Sequence, residues 1–417
     1  MVYENEEYIE KFILVAVDLG KEDVDDSLNE LEELTNTCGG EVICRVIQPR
    51  ESIHPGTYIG KGKIEELKEM IALYGADGII ADDELSPAQY KNLEDALDCK
   101  VMDRTLIILD IFAGRARTKE GKIQVELAQL KYRSSRLVGM RNLSRQGGSA
   151  AGVGGGVGIG SRGPGEKKLE IDRRIIRDRI SQLKKEVDEI KEHREVTRKN
   201  REKQGMMVGA IVGYTNAGKS TLLNTITDAE VLEEDKLFAT LDPTTRIHKL
   251  SDGQQLLLTD TVGFIRKLPH HLIDAFRSTL EEALYSDIII HVVDVANPVF
   301  EKHIEAVYDT LDDLGVKDKP IVTIFNKIDK LTGEVKMVDS RANHVIKTSI
   351  KQGIGLDELD SVLSHILKES KQFISTVLEY KDAGKINIIR EHGTLITEDY
   401  RDDGIYVEGY LPKHIKF

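Results

Sequence analysis

Gly213-Tyr214-Thr215-Asn216-Ala217-Gly218-Lys219-Ser220 is the stretch on which the reading of this chain turns. It has the pattern G-x-x-x-x-G-K-S, follows the apolar run Met206 to Val212, and precedes Thr221-Leu222-Leu223-Asn224, which reads as the opening turn of a helix. A strand, a glycine-bounded loop and a helix N-terminus in that order aim backbone N–H groups and a partial positive charge at one point, an arrangement that cradles phosphates. Lys219 is then placed to reach the β- and γ-phosphates, and the Ser220 hydroxyl to ligate Mg²⁺. This stretch alone implies a nucleoside triphosphate without naming the base.

Two further runs narrow it. Asp260-Thr261-Val262-Gly263 begins 41 residues after Lys219, at the end of the apolar run Leu256-Leu257-Leu258. An acidic residue there can hold Mg²⁺ through water, and the Gly263 N–H can touch a γ-phosphate with no side chain in the way. Asn326-Lys327-Ile328-Asp329 follows a third apolar run, Ile321 to Phe325. The Asp329 carboxylate can accept both the N1–H and the exocyclic N–H of guanine, whereas adenine presents an acceptor at N1. Lys327 can lay its aliphatic stem over the base, and Asn326 can tie this loop to the phosphate loop. The ordered set predicts GTP and GDP as ligands and Mg²⁺ as cofactor.

Weaker elements fill out the site. Phe238-Ala239-Thr240-Leu241-Asp242-Pro243-Thr244-Thr245-Arg246 lies between the phosphate loop and Asp260, where a switch threonine adds a Mg²⁺ ligand in the triphosphate state. Three threonines compete for that role on sequence. Ser349-Ile350-Lys351, after the strand-like Val345 to Thr348, is expected to pass its backbone along the guanine edge. Phe264 is a departure: Ras-like enzymes carry a water-orienting glutamine after D-x-x-G, and a phenyl ring cannot hydrogen-bond to water in that way. Slow intrinsic hydrolysis is the expectation, with no general base identified. Help can come from a partner that reorders the switch residues, or from K⁺ beside Asn216, a residue equally readable as a local loop hydrogen-bonder.

The composition is that of an ordinary globular chain, 40% apolar and 31% charged over 417 residues, long enough for two to four domains. No apolar run reaches the roughly 18 residues of a membrane helix, the acidic N-terminus does not resemble a signal peptide, and three scattered cysteines form neither a disulfide framework nor a metal spacing. A cytoplasmic protein without stable membrane insertion, acting as a monomer, is expected. The net charge of −14 is unevenly spread: residues 114–204 hold 24 Lys and Arg against 12 Asp and Glu, so one basic segment rides on an acidic body. Such a distribution suggests a local polyanion contact.

Along the chain, residues 1–103 alternate strand-like and helix-like runs and predict an α/β domain with a mostly parallel sheet. Its Tyr58-Ile59-Gly60-Lys61-Gly62-Lys63 reads as a basic turn into a helix or as an anion site. In residues 104–205, Ile123, Leu127, Leu130 and Leu137 share one helix face, and Ile176, Ile180, Leu183, Val187 and Ile190 another, which suggests an antiparallel helical hairpin arm. Between them residues 139–165 contain 11 glycines in 27 positions and too little apolar matter for a core. Arg141, Arg145 and Arg162 there, with Lys167 and Lys168 beyond, are candidate RNA contacts on an arm of about 30 to 45 Å. Residues 206–371 read as a doubly wound P-loop GTPase domain, and 372–417 as a small α+β appendage with strand-like pieces at Ile386 to Arg390 and Gly404 to Tyr410.

The chain resembles the HflX family of ribosome-associated GTPases. The resemblance is carried by Gly56-Thr57-Tyr58-Ile59-Gly60-Lys61-Gly62-Lys63, Asp103-Arg104-Thr105, Ile111-Phe112, Glu126-Leu127-Ala128-Gln129-Leu130, Gly163-Pro164-Gly165-Glu166 and Phe238-Ala239-Thr240-Leu241-Asp242-Pro243-Thr244. It implies that Thr240 is the switch Mg²⁺ ligand. It also implies binding to the large (50S) ribosomal subunit and its RNA, with the glycine loop directed toward the peptidyl-transferase region, and dissociation of stalled or idle ribosomes under stress. The competing reading is a signalling or membrane-associated GTPase whose arm binds a protein.

Overall fold

The computed structural model describes residues 8–20, 23–146, 164–203, 206–227, 237–238, 241, 243–267, 272, 280–412 and 417. Its residues fall into two units, Met1–Asp188 with Arg266–Phe276, and Glu189–Ile265 with Arg277–Phe417.

The first unit is built on strands β1 (Lys11–Asp18), β2 (Glu41–Pro49), β3 (Gly78–Ala81) and β4 (Lys100–Asp103), all parallel, in the order β2-β1-β3-β4. The helices between them, α1 (Val24–Thr37), α2 (Lys61–Tyr74) and α3 (Pro87–Leu97), start and stop where local chemistry dictates. Asp23 caps α1 by accepting from two amides, Gly75 ends α2 in a left-handed conformation, and Ser86 with Gln89 forms a capping box ahead of Pro87. A continuous apolar β1 is buried along its middle, as a parallel strand covered on both faces requires.

Helix α4 (Arg104–Arg115) packs on α1 and is tied to the end of β4. The reason is Asp103, fully buried at the end of β4. Its two carboxylate oxygens accept from the Leu106 amide that begins α4, from the Leu85 amide, and from Tyr132 and Arg136 of α5 (Lys119–Gln146), at 2.7 to 3.0 Å. The buried residues of α5, Ile123 and Leu127 among them, accordingly accompany packing on α3 and α4, while a Glu126–Arg179 ion pair at 2.7 Å links α5 to α6 (Pro164–Lys203). Leu183 is the fully buried member of the α6 stripe, and Ile176, Ile180, Val187 and Ile190 are half-buried. Forty residues long, α6 exceeds the length expected from its stripe because nothing after Gly165 interrupts a run rich in Glu, Lys and Arg. Most of the glycine-rich loop, Arg162 included, and the side chains of Leu137, Arg141, Arg145, Lys167 and Lys168 lie outside the described residues.

In the second unit six strands run in the order β10-β9-β8-β5-β7-β6: β5 (Met207–Gly213), β6 (Thr244–Lys249), β7 (Gln255–Asp260), β8 (Ile288–Asp294), β9 (Ile321–Asn326) and β10 (His344–Lys347). All pairs are parallel except β6 with β7. Helices α7 (Lys219–Thr227), α8 (Phe300–Asp313) and α9 (Leu356–Ser370) accompany the sheet, whose core gathers Ile211, Leu222, Leu258, Ile290, Ile324 and Leu363. A three-stranded antiparallel sheet follows, β11 (Lys371–Leu378), β13 (Gly404–Pro412) and β12 (Thr394–Arg401) in that order. Here Ile386 to Arg390 is helical rather than a strand, forming part of α10 (Lys385–His392). A short apolar run fits either period, and burial of Ile386 and Ile389, three residues apart, decides for the helix. No helix among the described residues is long and apolar enough to cross a membrane.

Candidate nucleotide site

The loop from Gly213 to Lys219 joins the C-terminal end of central strand β5 to the N-terminus of α7. Two of its glycines are required by space as well as conformation. Gly213 has φ +152° and a Cβ there would lie 2.3 Å from the Val292 carbonyl oxygen; Gly218 has φ +102° and a Cβ would lie 2.5 Å from Asn326 Nδ2. Asn216 takes a left-handed φ of 59°, which asparagine tolerates better than most residues. Lys219 is buried and its Nζ donates to the Tyr214 carbonyl at 2.8 Å. Burial pushes its pKa down to about 8 against the opposing pull of Asp260, so an arriving phosphate restores a fully favourable partner for the ammonium. Ser220 Oγ donates to Asp260 Oδ2 at 2.7 Å, which places two oxygen donors together at the first turn of α7. Thr221 follows in that turn, and its carbonyl accepts from Thr225 Oγ1.

The segment after β7 lies against this loop. Thr261 Oγ1 donates to the Ile211 carbonyl at 2.8 Å, and Val262 is buried. Beyond Gly263, Phe264 forms a parallel bridge with Tyr214: the Phe264 amide donates to the Gly213 carbonyl at 3.1 Å, and the Thr215 amide donates to the Phe264 carbonyl at 2.9 Å. The residue that stands in place of a glutamine thus acts through its backbone. Phe238 and Leu241 are buried, whereas Ala239, Thr240 and Asp242 lie outside the described residues.

On the base side Asn326, at the end of β9, donates through Nδ2 to the Ala217 carbonyl at 2.9 Å and accepts through Oδ1 from the Ile350 amide at 3.1 Å. One side chain thereby connects the phosphate loop, the N-K-x-D turn and the Ser349-Ile350-Lys351 turn. Lys327 donates to the Asn216 carbonyl at 2.8 Å and pairs with Asp294 at 2.7 Å. Asp329 accepts from Ser349 Oγ at 2.6 Å, and that bond holds its carboxyl below the usual range. Ile350 is buried, and Lys351 continues the short 3₁₀ turn Ile350–Gln352.

Two participants, Asp294 and His303, carry no motif of their own. Asp294 ends β8 as Asn326 ends β9, a strand-end position that hinted at its role. His303 on α8 stacks on Tyr214, with centroids 3.7 Å apart and an interplanar angle of 4°; no local pattern marks it. Elsewhere in the same unit, Asp339 accepts from Tyr308 and Thr323 at 2.7 Å each, with His291 Nδ1 at 3.9 Å. Burial works to raise the Asp339 pKa, but the donors around it outweigh burial and hold the carboxyl far below its ordinary value.

A phosphate loop, a D-x-x-G turn and an N-K-x-D turn joined at the C-terminal ends of a doubly wound sheet define a P-loop GTPase, an enzyme that hydrolyses GTP. Three family patterns match in series: "GTP-binding GTPase N-terminal" over residues 25–113, "GTP-binding GTPase Middle Region" over 115–201 and "50S ribosome-binding GTPase" over 208–327. The chain is 59% identical to a GTPase HflX of Lacrimispora saccharolytica over 99% of its own length and 96% of that protein's. It is 42% identical to the GTPase HflX of Escherichia coli over 86% of this chain and 83% of that one. It belongs to the HflX family of GTPases. Among solved structures it is similar to a GTP-binding protein of Sulfolobus solfataricus in complex with GDP, at 25% identity and a TM-score of 0.44, covering 87% of this chain and 99% of that one.

Proposed function

We propose that this GTPase is a cytoplasmic, monomeric factor that docks on the large ribosomal subunit in its GTP state, promotes dissociation of stalled or idle ribosomes, and leaves after hydrolysis. The basic segment carries the docking half of this reading: the 24 Lys and Arg against 12 Asp and Glu in residues 114–204 suit a phosphate backbone. The description of the pattern matched by residues 208–327 supports the same partner. Arg141, Arg145, Arg162, Lys167 and Lys168 are the proposed RNA contacts. GTP is held by residues 213–221, 238–242 and 260–263, with Asn326, Lys327 and Asp329 on the base and residues 349–351 along its edge.

Mg²⁺ fits the residues present. Ser220 Oγ and Asp260, 2.7 Å apart, are hard oxygen donors, and no group of three or more His, Cys, Asp or Glu among the described residues forms a protein cage for a metal. That suits an ion held largely by substrate phosphates and water, with Ser220 and Thr240 as direct ligands and Asp260 acting through water. When bound, the ion neutralises charge on the phosphates; Lys219 leaves the Tyr214 carbonyl to meet them, and the Gly263 amide meets the γ-phosphate. K⁺ beside Asn216 is part of this reading and is checked by replacing KCl with NaCl.

The decisive measurement is the GTP hydrolysis rate with and without purified large subunits. A rise of at least tenfold that weakens with added salt is expected. An unchanged rate over a range of salt and K⁺ concentrations would sink the docking mechanism while leaving the GTPase assignment intact.

A further inference from the structure

Hydrolysis needs a group that orients the attacking water, and the Phe264 side chain cannot serve. What Phe264 does instead is fix its neighbour. Its carbonyl accepts the Thr215 amide and its amide donates to Gly213, one hydrogen bond on each side of Tyr214. The Tyr214 ring is held in turn by its stack on His303. Thr215 is therefore on anchored backbone.

It is also in the right place. A Cβ built on Gly263 would meet Thr215 Cγ2 at 2.8 Å and Lys219 Nζ at 3.0 Å, so Thr215 and Lys219 flank the glycine that faces the γ-phosphate. Thr215 is only 7% exposed, yet its Oγ1 has no hydrogen-bond partner among the described residues. Buried hydroxyls without a partner are uncommon, and one carried by a residue whose methyl and Cα lie against Gly263, next to Lys219, calls for a ligand. A hydroxyl carries one donor and two acceptor lone pairs, so a single atom can do what a glutamine does with two.

We propose that Thr215 Oγ1 is a catalytic group of this GTPase, donating to a γ-phosphate oxygen while accepting a hydrogen bond from the attacking water. In the step it serves, the water oxygen bonds to the γ-phosphorus as the bond to the β–γ bridging oxygen breaks. GDP leaves with that electron pair, and the proton lost by water goes to the departing inorganic phosphate. Thr215 gains and loses no proton overall; it orients.

The inference rests on the GTPase assignment, and the wild-type rate tests that assignment separately, since absence of wild-type hydrolysis would undo it. The experiment is single-turnover hydrolysis by the full chain at saturating GTP with Mg²⁺ and KCl, alongside GDP affinity and thermal melting. Thr215→Val, nearly isosteric, is expected to slow hydrolysis about 10- to 100-fold with GDP affinity changed less than about threefold. Thr215→Ser keeps the hydroxyl and should stay within about threefold of wild type; Thr215→Ala is a second hydroxyl-free variant should the valine disturb folding. A valine rate within about twofold of wild type, a serine rate as low as the valine rate, or GDP affinity falling in step with hydrolysis each overturns the proposal.

Discussion

Both units carry a cluster of charged and polar side chains at strand ends of a largely parallel sheet, but the two clusters are finished differently. In the first unit Arg104 is 1% exposed and fully engaged: it pairs with Asp82 at 2.7 Å and Glu30 at 2.8 Å and donates to the Ser27 carbonyl at 2.8 Å. Lys267, which belongs to the same unit, completes the cluster by pairing with Asp82 at 2.6 Å and Asp83 at 2.9 Å. Burial alone would raise the Asp82 pKa, yet these two cations keep it low, so each charge has an opposite partner within the cluster. Among the described residues of the second unit, the Lys219 ammonium donates to a carbonyl, its pKa is depressed, and the Thr215 hydroxyl has no hydrogen-bond partner. The same sheet-end architecture serves as a structural lock when its charges are matched internally. Left short of anionic partners, it becomes a binding site.

The comparison breaks most visibly at Lys219. Lys219→Met should lower hydrolysis at saturating GTP roughly 1000-fold by removing a preorganised cation, while raising the melting temperature of the nucleotide-free protein because a poorly compensated buried charge is gone. Hydrolysis assays and apo thermal melts check both signs; a destabilised apo protein would place Lys219 in the same structural class as Arg104. Arg104→Leu should have the opposite profile, costing about 3–5 kcal/mol because Asp82 and Glu30 lose their shared partner. Chemical denaturation measures the loss, and GDP affinity of the folded fraction should be unchanged.

The smallest effect sharpens the comparison inside the second unit, where Asp339 is internally satisfied. Its folded pKa lies below the unfolded value, so its contribution is present above about pH 4 and is lost as pH falls through the folded pKa. Asp339→Asn should therefore cost about 1–2 kcal/mol near neutrality, with the gap to wild type narrowing progressively below about pH 4. A gap independent of pH would mean that shape rather than charge makes Asp339 matter.

The motifs that mark the candidate nucleotide site are legible because their signals are local. Spacing within Gly213 to Ser220 and the identities Asn326, Lys327 and Asp329 encode loop conformation and base chemistry without reference to the rest of the chain. Asp103 and Arg104 stood out only as carriers of a family resemblance; apart from the local bond to the Leu106 amide, the hydrogen bonds that explain them span 18 to 77 positions. Ile386 to Arg390 is helical despite its strand-like composition for a related reason. A five-residue apolar run has no period of its own, and contact with β13 and β12 selected the helix.

By itself the sequence determined that the chain is a GTP-binding protein and that one segment is basic, since each depends on residue type at short spacing. Only the tertiary structure decided where Phe264, Thr215 and His303 sit relative to one another. Their roles arise where α8, β5 and the turn after β7 converge, and hydrogen bonds and ring stacking across such distances leave no periodic trace in the chain. Burial likewise decided that two similar sets of charges differ, because the cost of an unmatched charge is set by the solvent around it.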